Sequence, residues 1–378
     1  MTTLLAVGDI ILDEPDPDSF FEPSRPVLLG ADAVVGHVEV PHSTTTTQTS
    51  TDVPAPPADP AALGALARAG FSAVTLAGNH IADAGPEGVL DTVRHAREHG
   101  LATAGAGATL AEARTPAVVR AGDRTVAVLS YNCVGPRESW ATSAKPGCAY
   151  VHVLTHYELD HASPGGPPST YTFAEPASLD AMRQDVRAAR KRADIVVVGL
   201  HKGVGHTPAV LAMYERPVAQ AAIDAGAHAV FAHHAHIMRG IEIYRGRPVY
   251  HGLGNFVTVT RALTPADGDD SPERRAWARR RVELYGFAPD PDMPYYPFHP
   301  ESRNTVVASV EVDDDGRVHA RLLPCRIDDR GRPVPVTRTS GGEDVLDYVR
   351  DISRRAGLDT RFDWSGDDIV TITQGEQR

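Results

Sequence analysis

The residues of this chain that can bind a cation or move a proton are scattered, yet seven of them directly follow an apolar run. Asp9 closes "LLAVGD", Glu39 closes "DAVVGHVE", and Asn79 and His80 follow "FSAVTLAG". His201 ends "DIVVVGLH", and His234 and His236 come just after "AHAVFAH". Short apolar runs rich in valine and isoleucine read as buried strands. In an α/β sheet the carboxyl ends of the strands form one rim, so groups far apart in sequence converge there. Carboxylates, an amide oxygen and imidazoles together suit a divalent ion of intermediate hardness such as Mn, Fe, Zn or Ni, whereas the oxygen ligands alone would serve Ca or Mg. Each signal alone has an ordinary explanation: an Asp after a strand caps a helix, and an Asn-His pair makes a turn. Their joint placement at successive strand ends is what points to a metal centre. Asp83 lies three residues past His80 and comes within reach of it if a helical turn follows. A His oriented by an Asp beside a bound metal is suited to acid/base catalysis near neutral pH.

The elements that must position these groups are legible as an alternation. Between the strand-like runs, "PAALGALARAG", "GPEGVLDTVRHAREHG", "ASLDAMRQDVRAARKRA" and "AVLAMYERPVAQAAIDAG" have the spacing of amphipathic helices, three of them closed by Gly. The pattern predicts an α/β fold with sheet buried between helices. Later strands joined by short polar turns such as "YRGRP" and "VDDDGR" read as antiparallel, which makes the sheets mixed. We expect one catalytic domain over residues 1–328, with irregular insertions at about 133–170 and 260–304, and a short helical appendage over 329–378. The Pro/Thr-rich stretch 42–60 reads as a surface loop. Long loops in compact domains are usually functional, so the two insertions are the expected substrate-selecting segments.

Composition narrows the partners. Lys and Arg number 37 against 49 Asp and Glu, a formal net charge of -12, which argues against nucleic acid or an anionic membrane as the main partner. The arginines at 274, 275, 279, 280 and 281 read as a solvated helix face, with a grip on an anionic substrate as the alternative. Three widely spaced cysteines, Cys133, Cys148 and Cys325, fit a reducing compartment better than a disulfide framework. The apolar run at the N-terminus is too short to span a membrane and lacks a basic n-region, so a cytoplasmic protein is expected.

Five separated motifs carry a resemblance. "VGDIIL", "GHVEVPHS", "LAGNHIADAGPEGVLDT", "VVVGLHKGV" and "HHAHIMRGIEIYRGRPVYHGLGNF", in that order from residue 4 to about 256, resemble the CapA-type proteins of poly-γ-glutamate capsule synthesis, within the calcineurin-like metallophosphatase superfamily. "YYPFHPESRNTVVASVEV" extends the likeness to about residue 313. The resemblance implies a four-layer αββα sandwich, the calcineurin-like metallophosphatase fold with mixed sheets, and a rim site for one or two divalent ions (Ca, Mn, Zn or Fe) without an organic cofactor. Carried over motif by motif, it implies Asp9, Glu39, Asn79, His201, His234 and His236 as metal ligands, His80 as the catalytic histidine, and Glu39 as the bridging residue. Two departures stand out. Metallophosphatases place a His where this chain has Ile11, as CapA-like proteins also lack it, and the bridging residue is Glu rather than the shorter Asp.

Further groups are expected around the same rim. His80, Asp83, His299 and Asp9 are the expected catalytic residues, His299 reaching in from the second insertion. Lys202, His37, His251 and Tyr296 are the expected substrate-binding residues: Lys202 for a carboxylate or oxyanion, the aromatic for an apolar side chain. The expected partner is a peptide or another small carboxylate-bearing molecule. Three functions follow. CapA-like proteins include epimerases of lasso-peptide precursors, so metal-assisted epimerisation at a Cα of a ribosomal precursor peptide is the favoured expectation. Hydrolysis of a phosphoester or amide is the second, and an accessory role in poly-γ-glutamate capsule synthesis is the third.

Overall fold

The first apolar run forms β1 (Thr2–Leu12), in which ten of eleven residues are buried. A strand with no exposed face needs a layer on each side. Along β1 the side chains alternate between those two layers. Leu4 and Ala6 turn inward, where with Val35 they meet Val126, Val128, Val197 and Phe231 of a second sheet. Leu5 and Val7 turn outward onto the helices that follow the early strands. The structure, a computed structural model, describes residues 1–49, 57–158, 168–262 and 271–375.

In the first sheet β1 pairs in parallel with β2 (Ala33–Val38), which leads through β3 (Ala73–Thr75) to β4 (Ala102–Ala104). The second sheet contains β5 (Ala117–Ala121), β6 (Arg124–Asn132), β7 (Ile195–His201), β8 (Ala229–His233), β9 (Ile241–Tyr244) and β10 (Arg247–Tyr250). They lie in the order β9-β10-β8-β7-β6-β5, parallel at the centre and antiparallel at both edges. The chain then returns to the first sheet as β11 (Asn255–Val259), β12 (Asn304–Val312) and β13 (Val318–Ile327). Helices α1 (Leu63–Ala69) and α2 (Gly85–Glu98) cover its outer face through Leu63, Leu66, Val89 and Val93. Helices α3 (Pro176–Arg190) and α4 (Glu215–Ala225) cover the second sheet through Met182, Val186, Val218 and Ala222. Helix, sheet, sheet and helix stack in that order, which is the four-layer αββα sandwich with mixed sheets.

Residues beyond 328 add strands as well as a helix. β14 (Pro333–Pro335) pairs with β13, and after the helix α6 (Glu343–Arg355) come β15 (Thr360–Trp364) and β16 (Val370–Gln374), the latter hydrogen-bonded to β13. The 260–304 insertion carries the helix α5 (Pro272–Tyr285). α6 sends Val345, Leu346, Val349 and Ile352 into the core between the sheets. The insertion at 133–170 carries an antiparallel pair, Val153–Glu158 with Ser169–Ala174. In the 260–304 insertion, Met293, Tyr296 and Phe298 pack on Ile11 and Ile327. Residues 50–56, 159–167 and 263–270, parts of the predicted loop and insertions, lie outside the described residues. No helix among the described residues is long and apolar enough to cross a membrane.

Candidate metal centre

The ligand candidates converge because the strands that end in them are neighbours. The sequence pattern ends β1 at Asp9, but the strand runs on to Leu12 and Asp9 sits at an irregularity. Thr2–Ala6 pair antiparallel with β12, whereas Asp9–Leu12 pair in parallel with β11, with a register shift between Asp9 and Ile10. Such a bulge re-aims a side chain. Gly8 permits it, since a Cβ there would collide with the Gly254 carbonyl. Glu39 follows β2 and its N–H donates to Ile10 O at 3.0 Å. Asn79 follows β3, His201 ends β7, and His234 and His236 follow β8. His234 and His236 have φ of 89° and 52°, the left-handed region that non-glycine residues avoid unless their surroundings impose it.

The donor atoms face one another at short range. Asn79 Oδ1 lies 2.7 Å from His201 Nε2 and 3.2 Å from His234 Nδ1. Glu39 Oε1 lies 3.5 Å from His201 Nε2 and 3.9 Å from His236 Nε2, while its Oε2 lies 3.3 Å from His37 Nε2. Asp9 Oδ2 is 3.5 Å from His236 Nδ1, and Asp9 accepts the His234 N–H. One ligand atom each from Asp9, His37, Glu39 and His201 falls within a span of 4.8 Å. Asp9 is 0% exposed and Glu39 1%, so two carboxylates are held together away from water. Burial, and then the Glu39 charge, push the Asp9 carboxyl well above its usual range. Burial opposes the Glu39 charge too, but His201, His37 and His236 outweigh it and hold Glu39 well below the usual range. Burial depresses His201 strongly and His234 to about 4, which favours the ring form that offers a lone pair to a cation. Both Glu39 oxygens are buried without a hydrogen-bond partner among the described residues. A carboxylate so placed needs a cation, and neutral imidazoles, an amide oxygen and carboxylates are the donor set that would hold one.

Above these groups opens a cavity of about 610 Å³ lined by Glu39, Asn79, His234 and His236 at its base. His80 and Asp83 line it, the imidazole Nδ1 2.7 Å from Asp83 Oδ2. Asp13, Ile11, His206 and Phe298 line it as well, and α5 contributes Trp277, Arg280, Arg281 and Tyr285. Burial raises the Asp13 carboxyl against the opposing Thr260 hydroxyl, which donates to it at 3.0 Å. The Arg281 guanidinium lies over the Trp277 and Tyr285 rings at 5.2 and 5.3 Å.

The remaining sequence candidates do not line the cavity. Lys202 and His251 are buried behind the centre, with Lys202 Nζ donating to Glu215 at 2.9 Å and to His251 Nδ1 at 3.1 Å. His37 stacks between His201 and His233 at the base of the ligand cluster, and its Nδ1 meets Thr75 Oγ1 at 3.0 Å. The Tyr296 hydroxyl is turned into the core, where it accepts from Asn255 Nδ2 at 3.1 Å. His299 caps a short 3-10 turn, accepting Glu301 N–H, and its ring packs on Phe287 rather than lining the cavity. His206 was not singled out by pattern. Its only signal is a histidine in "GVGHTP", five residues after His201, and it holds a φ of 54° at the cavity wall. Burial takes its pKa down to about 2.

Residues 3–260 match the family described as "Bacterial capsule synthesis protein PGA_cap". A "Probable polyglutamine synthesis accessory protein" of Mycobacterium tuberculosis is 33% identical over 188 residues, 48% of this chain and 44% of that protein. The "PGA biosynthesis protein CapA" of Bacillus subtilis is 27% identical over 262 residues, 66% of this chain and 62% of that protein. The matched region thus spans less than two thirds of the length of these relatives. Among solved structures, a 5'-nucleotidase from Candida albicans superposes with a TM-score of 0.41 at 9% identity, over 96% of this chain and 61% of that one. The calcineurin-like phosphoesterase YfkN of Bacillus subtilis superposes with a TM-score of 0.32 at 10% identity, over 94% and 97%.

Proposed function

The chain belongs to the PGA_cap family of bacterial capsule synthesis proteins, and from that premise we propose that it is a metal-dependent enzyme that moves protons on a peptide or other carboxylate-bearing substrate. The observation that carries this reading is the meeting of buried ligand candidates and the His80–Asp83 pair at one cavity. Asp9, Glu39 and His236 are the groups that would hold one ion; Glu39, Asn79, His201 and His234 would hold a second. A divalent ion bound there would supply positive charge that acidifies a neighbouring C–H or O–H bond.

The chain's own residues do the rest. Asp83 accepts from His80 Nδ1–H, which fixes the ring and leaves Nε2 as its basic nitrogen. The imidazolium formed when Nε2 takes a proton is stabilised by the same carboxylate. Asp13, whose carboxyl burial keeps protonated to higher pH, lines the same cavity and is suited to deliver a proton. Arg280 and Arg281 favour an anionic substrate at the α5 wall, and Trp277 and Phe298 offer it apolar surface.

Within this class we favour epimerisation at a Cα of a ribosomal, lasso-type precursor peptide. His80 would remove the Cα proton, and Asp13 would return one to the other face. The apolar Ile11 lining the cavity supports a reading that does not require two firmly held ions. Incubating a candidate precursor peptide with the enzyme in deuterated water tests it: deuterium enters one Cα position, and its absence from all of them sinks the epimerase reading. A second reading, hydrolysis, is favoured by Glu39 lying between the two ligand sets, as a two-ion clamp requires. Turnover of a generic phosphodiester would put it first. A third reading, an accessory role in poly-γ-glutamate capsule synthesis, is supported by the names of relatives, "Probable polyglutamine synthesis accessory protein" and "PGA biosynthesis protein CapA".

A further inference from the structure

We propose that Glu215 is the positioning residue of the metal centre, a single buried carboxylate that clamps together the two loops carrying its three imidazole ligands. The inference rests on the metal-dependent reading above. His201 ends β7 and the next residue is Lys202; His234 and His236 stand shortly before Arg239. Lys202, Arg239 and Glu215 are each 0% exposed. Both cations turn away from the cavity and end on Glu215, the first residue of α4: Lys202 Nζ donates to Oε2 at 2.9 Å, and an Arg239 guanidinium N–H donates to Oε1 at 3.1 Å. Oε1 also accepts the Ala212 N–H at 2.7 Å. From the same guanidinium, N–H groups donate to Val204 O at 3.1 Å and to Val210 O, which ties in the loop bearing His206. Lys202 continues the network through the ring of His251, whose Nε2 meets Glu242 Oε2 at 3.0 Å.

Stability alone is a poor reason for such an arrangement. Taking charges out of water is costly, and apolar residues of the same volume often give an equally stable core. What charge-assisted hydrogen bonds add is narrow geometry. One carboxylate holding a cation from each ligand loop fixes the spacing between His201 and the His234–His236 pair. The ligands themselves then need little rearrangement to meet an ion. Groups that orient metal ligands from behind typically change metal affinity 10–100-fold when replaced.

The test is a titration with Mn²⁺, and separately Zn²⁺, of the wild-type chain, Glu215→Gln and Lys202→Met, followed calorimetrically with circular dichroism and urea unfolding on the same samples. Glu215→Gln is expected to fold and to bind the ion about 10–100-fold more weakly, because both straps lose their charge partner. Lys202→Met, which releases only the His201 loop, is expected to weaken binding by a smaller factor. A lower urea midpoint with an unchanged dissociation constant per folded molecule in both variants would mean that the network only supports the fold, and overturns the proposal. Should Glu215→Gln fail to fold, Lys202→Met decides on the same criterion. A wild-type chain that binds neither ion would instead overturn the metal reading on which the clamp rests.

Discussion

Replacing Asp9 by Asn should make the ion-free protein more stable and the ion-loaded protein less so. Asp9 is wholly buried, and burial together with the Glu39 charge raises its carboxyl well above the usual range. Because the folded-state group titrates above the unfolded one, its stabilising contribution is present only at low pH and is lost as pH rises through the folded pKa. At neutral pH the raised carboxyl therefore counts against the fold. Asn keeps an oxygen for the His234 N–H and removes the charge. An uncompensated buried polar group costs about 1–3 kcal/mol, and more when charged. With an unfolding entropy of about 2.1 cal/mol/K per residue, a chain of 378 residues moves by about 1.3 °C per kcal/mol. The variant should then melt about 1–4 °C higher than wild type in chelator. An ion at a thousand times its Kd adds about 4 kcal/mol, or about 5 °C, to wild type, most of which the variant forgoes. The assay is a thermal scan of both proteins in EDTA and in excess Mn²⁺ or Zn²⁺. A reversal of the order of Tm is the predicted result. An equal loss of Tm in both conditions would refute the reasoning, because Asp9 would then be a structural residue independent of any cation.

Other outcomes follow from the same geometry. His80→Ala should lower kcat about 10²–10⁴-fold and Asp83→Asn about 10–100-fold. The double variant should match His80→Ala alone, and additive losses in stopped-flow or endpoint turnover would show that the two do not act as a pair. Arg280→Ala with Arg281→Ala should raise KM for a carboxylate-bearing substrate with kcat little changed; an unchanged KM would remove the anionic grip. His42 is buried with its Nδ1 2.9 Å from Asp59 O, and burial lowers its pKa to about 4. A depressed folded pKa gives stability that is complete above the unfolded value near 6.5 and is lost as pH falls toward 4. His42→Gln should therefore flatten urea-derived stability between pH 7 and 4 by up to about 3 kcal/mol, and a wild-type slope in the variant would contradict that.

Much of the centre was legible in the chain because strand ends are strong local signals and a shared rim brings them together. Glu39, Asn79, His201, His234 and His236 all reach that rim. What periodicity does not carry is where a strand changes partner, so the bulge that aims Asp9 and the continuation of β1 to Leu12 had no sequence signature. Alternation explains Lys202: next to a rim-facing His201, it points to the opposite side and finds Glu215. His251 joins the same buried network for lack of any solvent path. The cavity wall was the least legible part. α5 buries no residue, so no apolar stripe announces which of its faces meets the centre, and its basic cluster read as a solvated surface. Trp277, Arg281 and Tyr285 line the cavity together with Phe298, which packs with Tyr296 on Ile11, contacts between segments far apart in the chain. His206 lies on an irregular loop that Arg239 clasps through Val204 O, a contact between segments distant in sequence.

The most direct test of the account is the metal content of the purified chain, measured by mass spectrometry after incubation with a mixture of Ca²⁺, Mn²⁺, Fe²⁺ and Zn²⁺ and removal of the excess. The wild type should retain one or two equivalents, and His201→Ala and His234→Ala should each lose at least one while remaining folded. A folded wild type that retains no divalent ion, or variants that retain as much as it does, would contradict the claim that these residues form a metal centre.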